Sequence, residues 1–184
     1  MRPAPIRLSP ARFTGWLALI PLIYFAAEWV VAASWRGLYG YRNDLVGPLG
    51  IAFCGPVGNW PCSELYRAMN IALGVSGLAI SVVAVCLLVQ RVADRGSALL
   101  LSAAGIGLAV SGIITQNTSY AWNVTATMVF MTCGSVGALL IAVAARVRMT
   151  VERRIIAVGA GCVSLFGFFT YVGGLDIVGP GTAQ

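Results

Sequence analysis

The sequence predicts an all-α, polytopic membrane protein: a five-helix transmembrane bundle with one long outer loop, forming a single domain over residues 1–184. Three observations predict it. The chain is 59% hydrophobic and only 10% charged, with a mean hydropathy of +0.86, whereas a soluble domain carries roughly a quarter charged residues. Five apolar runs are each long enough to cross a hydrocarbon core of roughly 30 Å, which takes about 18 residues or more. The basic residues, all of them arginine, then gather in alternate connections between those runs.

Taken in order, the first span is Phe13 to Trp35, interrupted by Glu28 and bent or thinned at Pro21. A secretory leader is the competing reading of this stretch, with Val31 and Ala33 as the small residues of a cleavage site. Leader cores run about 7–15 residues, and this run is longer and carries a carboxylate and tryptophans, so a retained helix is expected. The remaining spans are Ala68 to Val89, Gly96 to Thr115, Ala121 to Ala145 and Ile155 to Leu175, none of which contains a charge. Backbone groups in lipid must be satisfied within the segment, so these runs are helices; a barrel would alternate polar and apolar residues. Small residues four apart, as at Ala72/Ser76, Gly77/Ser81, Ala103/Gly107/Ser111 and Ala157/Gly161, let helix backbones approach closely.

Orientation follows from the arginines. Arg2, Arg7, Arg12, Arg91, Arg95, Arg146, Arg148, Arg153 and Arg154 fall on one side of the five spans, and Arg36, Arg42 and Arg67 on the other. The arginine-rich side is cytoplasmic by this rule, which puts the N-terminus inside, the C-terminus outside and the protein in the cell membrane. The same segregation accounts for the net charge of +6, so no nucleic-acid partner is needed to explain it.

The residue inventory excludes much chemistry. With no lysine and no histidine, there is no His-activated nucleophile, His metal ligand, His-ligated haem, Lys Schiff base or phosphate-loop lysine. No metal and no cofactor is expected. The Arg-only, Ala/Gly-rich composition suggests a bacterial source. Asn117-Thr118-Ser119 and Asn123-Val124-Thr125 have the form of glycosylation acceptors but lie against the membrane.

The long connection, Arg36 to Arg67, is rich in Gly and Pro and carries Cys54 and Cys62. An oxidising outer face would join them, closing a short ring worth roughly 2–3 kcal/mol. Cys86, Cys133 and Cys162 lie within spans and read as small apolar fillers. The loop pair also resembles that of vitamin K epoxide reductase-type enzymes, but the membrane-embedded Cys-x-x-Cys those enzymes use is absent from this sequence. A broader resemblance covers about 30 residues. Asp44-Leu45, Cys54, Cys62-Ser63 and Ala68-Met69-Asn70 resemble the signature of the actinobacterial branch of a membrane family called domain of unknown function nine-nine-eight. That signature has an Asp-Leu-Gly turn, two cysteines and Cys-Ser-Pro-x-His-x-x-Met-Asn; here Val46, Glu64 and Tyr66 stand in place of its Gly, Pro and His. The resemblance implies the helical membrane fold and no particular reaction.

Glu28 is the sharpest chemical feature. Fifteen residues beyond Phe13, it lies about 22 Å into the core at 1.5 Å per residue, in the outer third. A carboxylate there costs a few kcal/mol and so faces the bundle interior or is neutral, which makes it a functional-site candidate by default; pairing with Arg36 is the structural alternative. Tyr24, Phe25, Glu28, Ala32 and Trp35 share a helix face. At the same outer level fall Asn70, Asn117, Tyr120, Trp122, Asn123, Tyr171 and Asp176, with Asp44, Trp60, Glu64 and Tyr66 in the loop.

Three classes of function are expected from this inventory. The first is a pocket at the outer leaflet for a membrane lipid or isoprenoid. Tyr24, Trp29, Trp35, Trp60, Asn70, Asn117, Trp122 and Asn123 would contact the ligand. Glu28, or Asp176 in its place, would donate the proton of an isomerisation or terpene-type cyclisation. The second is a non-catalytic subunit packed on another membrane protein or on further copies of itself. The third is thiol redox at the outer face through Cys54 and Cys62. A transporter fits less well, because no second charge within the spans pairs with Glu28 and no two halves match.

Overall fold

In the computed structural model the chain folds into helices that run back and forth, described here over residues 10–35, 39–40, 44, 46–52, 62–144 and 150–173. The helices are α1 (Pro10–Leu17), α2 (Leu22–Ala33), α3 (Tyr66–Val89), α4 (Arg95–Ile113), α5 (Tyr120–Val143) and α6 (Val151–Val172), with one 3-10 turn, η1 (Gly47–Gly50), in the long connection. Among the described residues there is no β-strand; Trp35 and Ser63 form one isolated antiparallel bridge. Counting α1 and α2 as one span, five helical segments among the described residues are long and apolar enough to cross a membrane. The protein is a multi-pass helical membrane bundle.

The first span is broken rather than merely bent. Pro21 has no N–H to give and its ring obstructs the preceding turn. Leu19 and Ile20 instead donate to carbonyls three residues back, at 3.1 Å each, and helical bonding resumes at α2. The other spans keep their expected places with shifted ends. The last helix starts at Val151 rather than Ile155, because Thr150 caps it by accepting from the Arg153 N–H. Charged residues therefore extend that helix beyond its apolar run.

Helix ends on the arginine-rich side are closed by local chemistry. Asp94 caps α4, its carboxylate accepting from the N–H groups of Gly96 and Ser97 and from the Ser97 hydroxyl. Those bonds, the Ser97 hydroxyl foremost, hold the Asp94 carboxyl below its ordinary range. At the end of α3, Arg91 adopts a left-handed backbone (φ 55°), and Val92 and Arg91 donate to the carbonyls of Leu87 and Leu88. This double closure turns the chain sharply into α4.

Packing follows chain order: α1 and α2 lie on α3, α3 on α4, α4 on α5, and α5 on α6. Small residues set the spacing, as the sequence predicts. A Cβ added to Gly77 would collide with the backbone of Gly105 and Ala109, and one on Gly107 would lie 2.7 Å from the Ala126 carbonyl oxygen. Across the α5–α6 seam, the hydroxyls of Ser135 and Ser164 meet at 2.6 Å. Large apolar side chains cover the outside, among them Ile71, Leu78, Val85, Ile155, Val163 and Phe169. In water that surface would be an aggregation liability, while against lipid it is matched to its solvent.

Candidate functional site

At the end of the bundle opposite Asp94 and Arg91, the helices line a partly open cavity of about 400 Å³. Five helical elements and the 3-10 turn build it. Pro21 comes from the break before α2 and Tyr24, Phe25 and Glu28 from α2; Asn70, Leu73, Ser76 and Ile80 from α3; Leu108 and Ser111 from α4. From α5 come Asn123, Val124, Thr127, Met128, Phe130 and Met131, and from the end of α6 comes Tyr171. The α3 set recurs at intervals of three or four residues, so one stripe of that helix faces inward.

The loop is fastened over this end. Leu49 of η1 is fully buried with Val31 of α2 and Met69 of α3, and Tyr24, Trp35, Tyr39, Val46 and Leu73 pack around them. The Asn70 side-chain amide donates to the Gly50 carbonyl at 3.1 Å. Gly47 lies directly against the Gln116 side chain, where a Cβ would not fit. At the root of the loop, the Ser63 hydroxyl donates to the Val31 carbonyl at 3.3 Å and meets the Ser34 hydroxyl at 2.8 Å. Farther along, the Gly40 N–H donates to the Asp44 carboxylate at 2.7 Å.

The polar groups on the wall divide into two kinds. Several are committed to backbone. The Asn123 amide donates to the carbonyls of Ser111 (2.9 Å) and Ile114 (2.8 Å), tying the start of α5 to the end of α4. The hydroxyls of Ser111 and Thr127 donate to the Leu108 and Asn123 carbonyls. Among the described residues, Asn70 Oδ1 and Ser76 Oγ are buried without a hydrogen-bond partner. Such groups are rare because leaving one unmade costs about 1–3 kcal/mol. Glu28 is half-buried and lies one turn beyond Tyr24 on the same helix face.

The structure thus brings Glu28, Tyr24, Asn70 and Asn123 together, with Phe25 and Tyr171. It does not bring Trp35, Asn117 or Trp122 to the cavity wall. Trp35 packs edge-on against Tyr39; Asn117 is exposed; Trp122 is 64% exposed and Trp29 is 76% exposed. Trp122 precedes Asn123, and adjacent helical residues point about 100° apart, so burial of Asn123 turns Trp122 outward. Burial of the Asn123 side chain also removes it as a glycosylation acceptor. Asp176, Trp60, Cys54 and Arg36 lie outside the described residues. The lining residues not anticipated from sequence are Ser76, Ser111, Gln116, Thr127 and the α5 methionines. Within uniformly apolar spans, a serine or methionine facing a cavity looks like one facing lipid. The one available signal was the three-to-four-residue spacing from Asn70 through Leu73 to Ser76.

No group of three or more potential metal-ligating side chains occurs among the described residues. Comparison with family models, curated proteins and solved structures finds no match to this chain.

Proposed function

We propose that this protein holds a lipid or isoprenoid in the cavity between α2 and α5, at the outer-leaflet end of the bundle. The observation that carries the reading is a largely apolar cavity of about 400 Å³ with Glu28, Tyr24 and Asn70 on its wall. Its volume lies within the range of small-molecule sites, about 300–1,000 Å³. The orientation, with the N-terminus cytoplasmic and the C-terminus outside the cell membrane, is supported by the distribution of arginines. The likeness of the stretch from Asp44 to Asn70 to domain of unknown function nine-nine-eight belongs to the proposal for the fold only. A Cys54–Cys62 staple in the loop belongs to it too; Cys62 is fully buried, and Cys54 lies outside the described residues.

Native mass spectrometry of protein purified in mild detergent tests the binding. One lipid class retained by the wild type and depleted on Met128→Trp, which narrows the cavity, is the expected result. Equal lipid content in both proteins contradicts it, and recovery only within a larger complex favours an accessory subunit.

The position of Glu28 beside Tyr24 and Phe25 favours a second reading, acid-initiated isomerisation of an alkene. The Glu28 carboxyl proton bonds to one alkene carbon as the π bond breaks. Positive charge develops on the other carbon, where the rings of Phe25 and Phe130 stabilise it. The carboxylate then removes a proton from the neighbouring carbon, which shifts the double bond and restores the acid. Glu28→Gln is expected to keep lipid binding and lose turnover in a product assay, and unchanged turnover removes the mechanism.

A further inference from the structure

We infer that the cavity takes its ligand sideways from the bilayer, through a portal between α2 and the α5–α6 pair, while the loop keeps the aqueous end shut. The inference rests on the proposed lipid site and names the source and route of its ligand. The helices pack in chain order as an arc. α2 lies on α3 and η1, and α6 lies on α5, but among the described residues α2 makes no comparable contact with α5 or α6. Residues from both sides of that gap nonetheless line one cavity: Phe25 and Glu28 of α2, Val124 and Met128 of α5, and Tyr171 of α6. The deep wall is buried at Ser76, Leu108, Ser111 and Asn123, whereas all five of those rim residues are partly or largely exposed. Phe25 is the lip, lining the cavity and yet 62% exposed. It lies eight residues before the outer end of α2, and Met128 eight residues beyond the outer start of α5. At 1.5 Å per residue both are about 12 Å inside the helix ends, a depth at which a gap between spans opens into hydrocarbon.

The aqueous end is strapped. η1 reaches from α3, where the Asn70 amide holds the Gly50 carbonyl at 3.1 Å, to the α4–α5 connection, where Gly47 lies against Gln116. Leu49 between them is fully buried with Val31 and Met69. Val46, Gly47 and Gly50 thereby form the roof of the cavity. A ligand arriving from water would have to part those contacts and carry its apolar chain through water, giving up the burial that holds it in the bilayer. A chain that slides in past Phe25 exchanges one apolar surrounding for another. Whatever part of it exceeds the volume of about 400 Å³ stays in lipid through the same opening.

Spin-label collision measurements in lipid nanodiscs test the route. With Cys86, Cys133 and Cys162 changed to alanine, a nitroxide is attached at Met128→Cys, on the cavity wall. The comparison label is at Val163→Cys, a position 72% exposed on α6 and nine residues from its outer end. Molecular oxygen, which concentrates in hydrocarbon, and a water-soluble nickel chelate are the two collision reagents. The Met128 position is expected to give the pattern of the Val163 position, with frequent oxygen collisions and few nickel collisions. Phe25→Trp and Val124→Trp, which narrow the portal from its two sides, are each expected to lower oxygen collisions at the Met128 position severalfold and to leave those at Val163 unchanged. Nickel collisions as frequent as oxygen collisions at the Met128 position overturn the inference and leave the lipid site standing. So do rare collisions with both reagents, and so do oxygen collisions that neither tryptophan changes. Equal lipid content in wild type and Met128→Trp overturns the lipid site itself and this inference with it.

Discussion

Asn70 holds the carbonyl of Gly50 at 3.1 Å with its amide nitrogen, and its own carbonyl oxygen is left buried and unpartnered on the cavity wall. One side chain thus fastens the loop to α3. Replacing it by leucine is expected to lower stability by about 1 kcal/mol, the net worth of one hydrogen bond. Amide exchange at Ile51, whose N–H donates to Pro48 within the 3-10 turn, is expected to accelerate at the same time. Thermal unfolding in detergent and exchange mass spectrometry read the two effects separately.

Glycines on α3 and α4 are not equivalent. A Cβ on Gly105 would lie 2.7 Å from the Ser81 backbone nitrogen, whereas one on Gly74 would meet nothing within 4 Å. Gly105→Ala is therefore expected to destabilise the bundle by roughly 1–3 kcal/mol through overpacking. Gly74→Ala is expected to be neutral or to stabilise by up to about 1 kcal/mol through helix propensity. Chemical unfolding of the two variants side by side measures the difference.

The α5–α6 seam has a polar contact that can be measured alone. Ser135 and Ser164 share a hydrogen bond of 2.6 Å between hydroxyls. A double-mutant cycle with alanine at each position is expected to give a coupling of about 0.6 kcal/mol, typical of bonds between membrane helices.

Asp94 gives the arginine-rich end a pH dependence. Its carboxyl is held below the ordinary range by the Ser97 hydroxyl and the first N–H groups of α4. A depressed folded-state value means that the cap contributes fully above the unfolded value, about 3.9, and is lost as pH falls through the lower folded value. Amide exchange at Gly96 and Ser97 is expected to rise across that interval. Asp94→Asn, which still caps but does not titrate, is expected to abolish the dependence.

The bundle was legible in the sequence because length and apolarity suffice to mark a membrane helix. Helix ends were less so. The Pro21 break replaces a bend because the bonds around it shift to three-residue spacing, and α6 begins early because a threonine cap lies outside its apolar run. Within the candidate site, Glu28 and Asn70 were visible as polar groups in apolar spans. Trp35 and Trp122 were credited with contacts that the helix phase and the loop packing direct elsewhere. Met128 could not be singled out, since facing a cavity and facing lipid favour similar residues, whereas Ser76 had only its helical spacing from Asn70 and Leu73 to mark it.

The measurement that tests the account most directly is photo-crosslinking with a diazirine analogue of farnesol, followed by peptide mapping. Labelling is expected on the inward residues of α3 and α5, at Leu73, Met128 and Phe130, and unlabelled farnesol is expected to suppress it. Labelling confined to the outward-facing Val163, Phe166 and Phe169 of α6, and insensitive to competition, would contradict it.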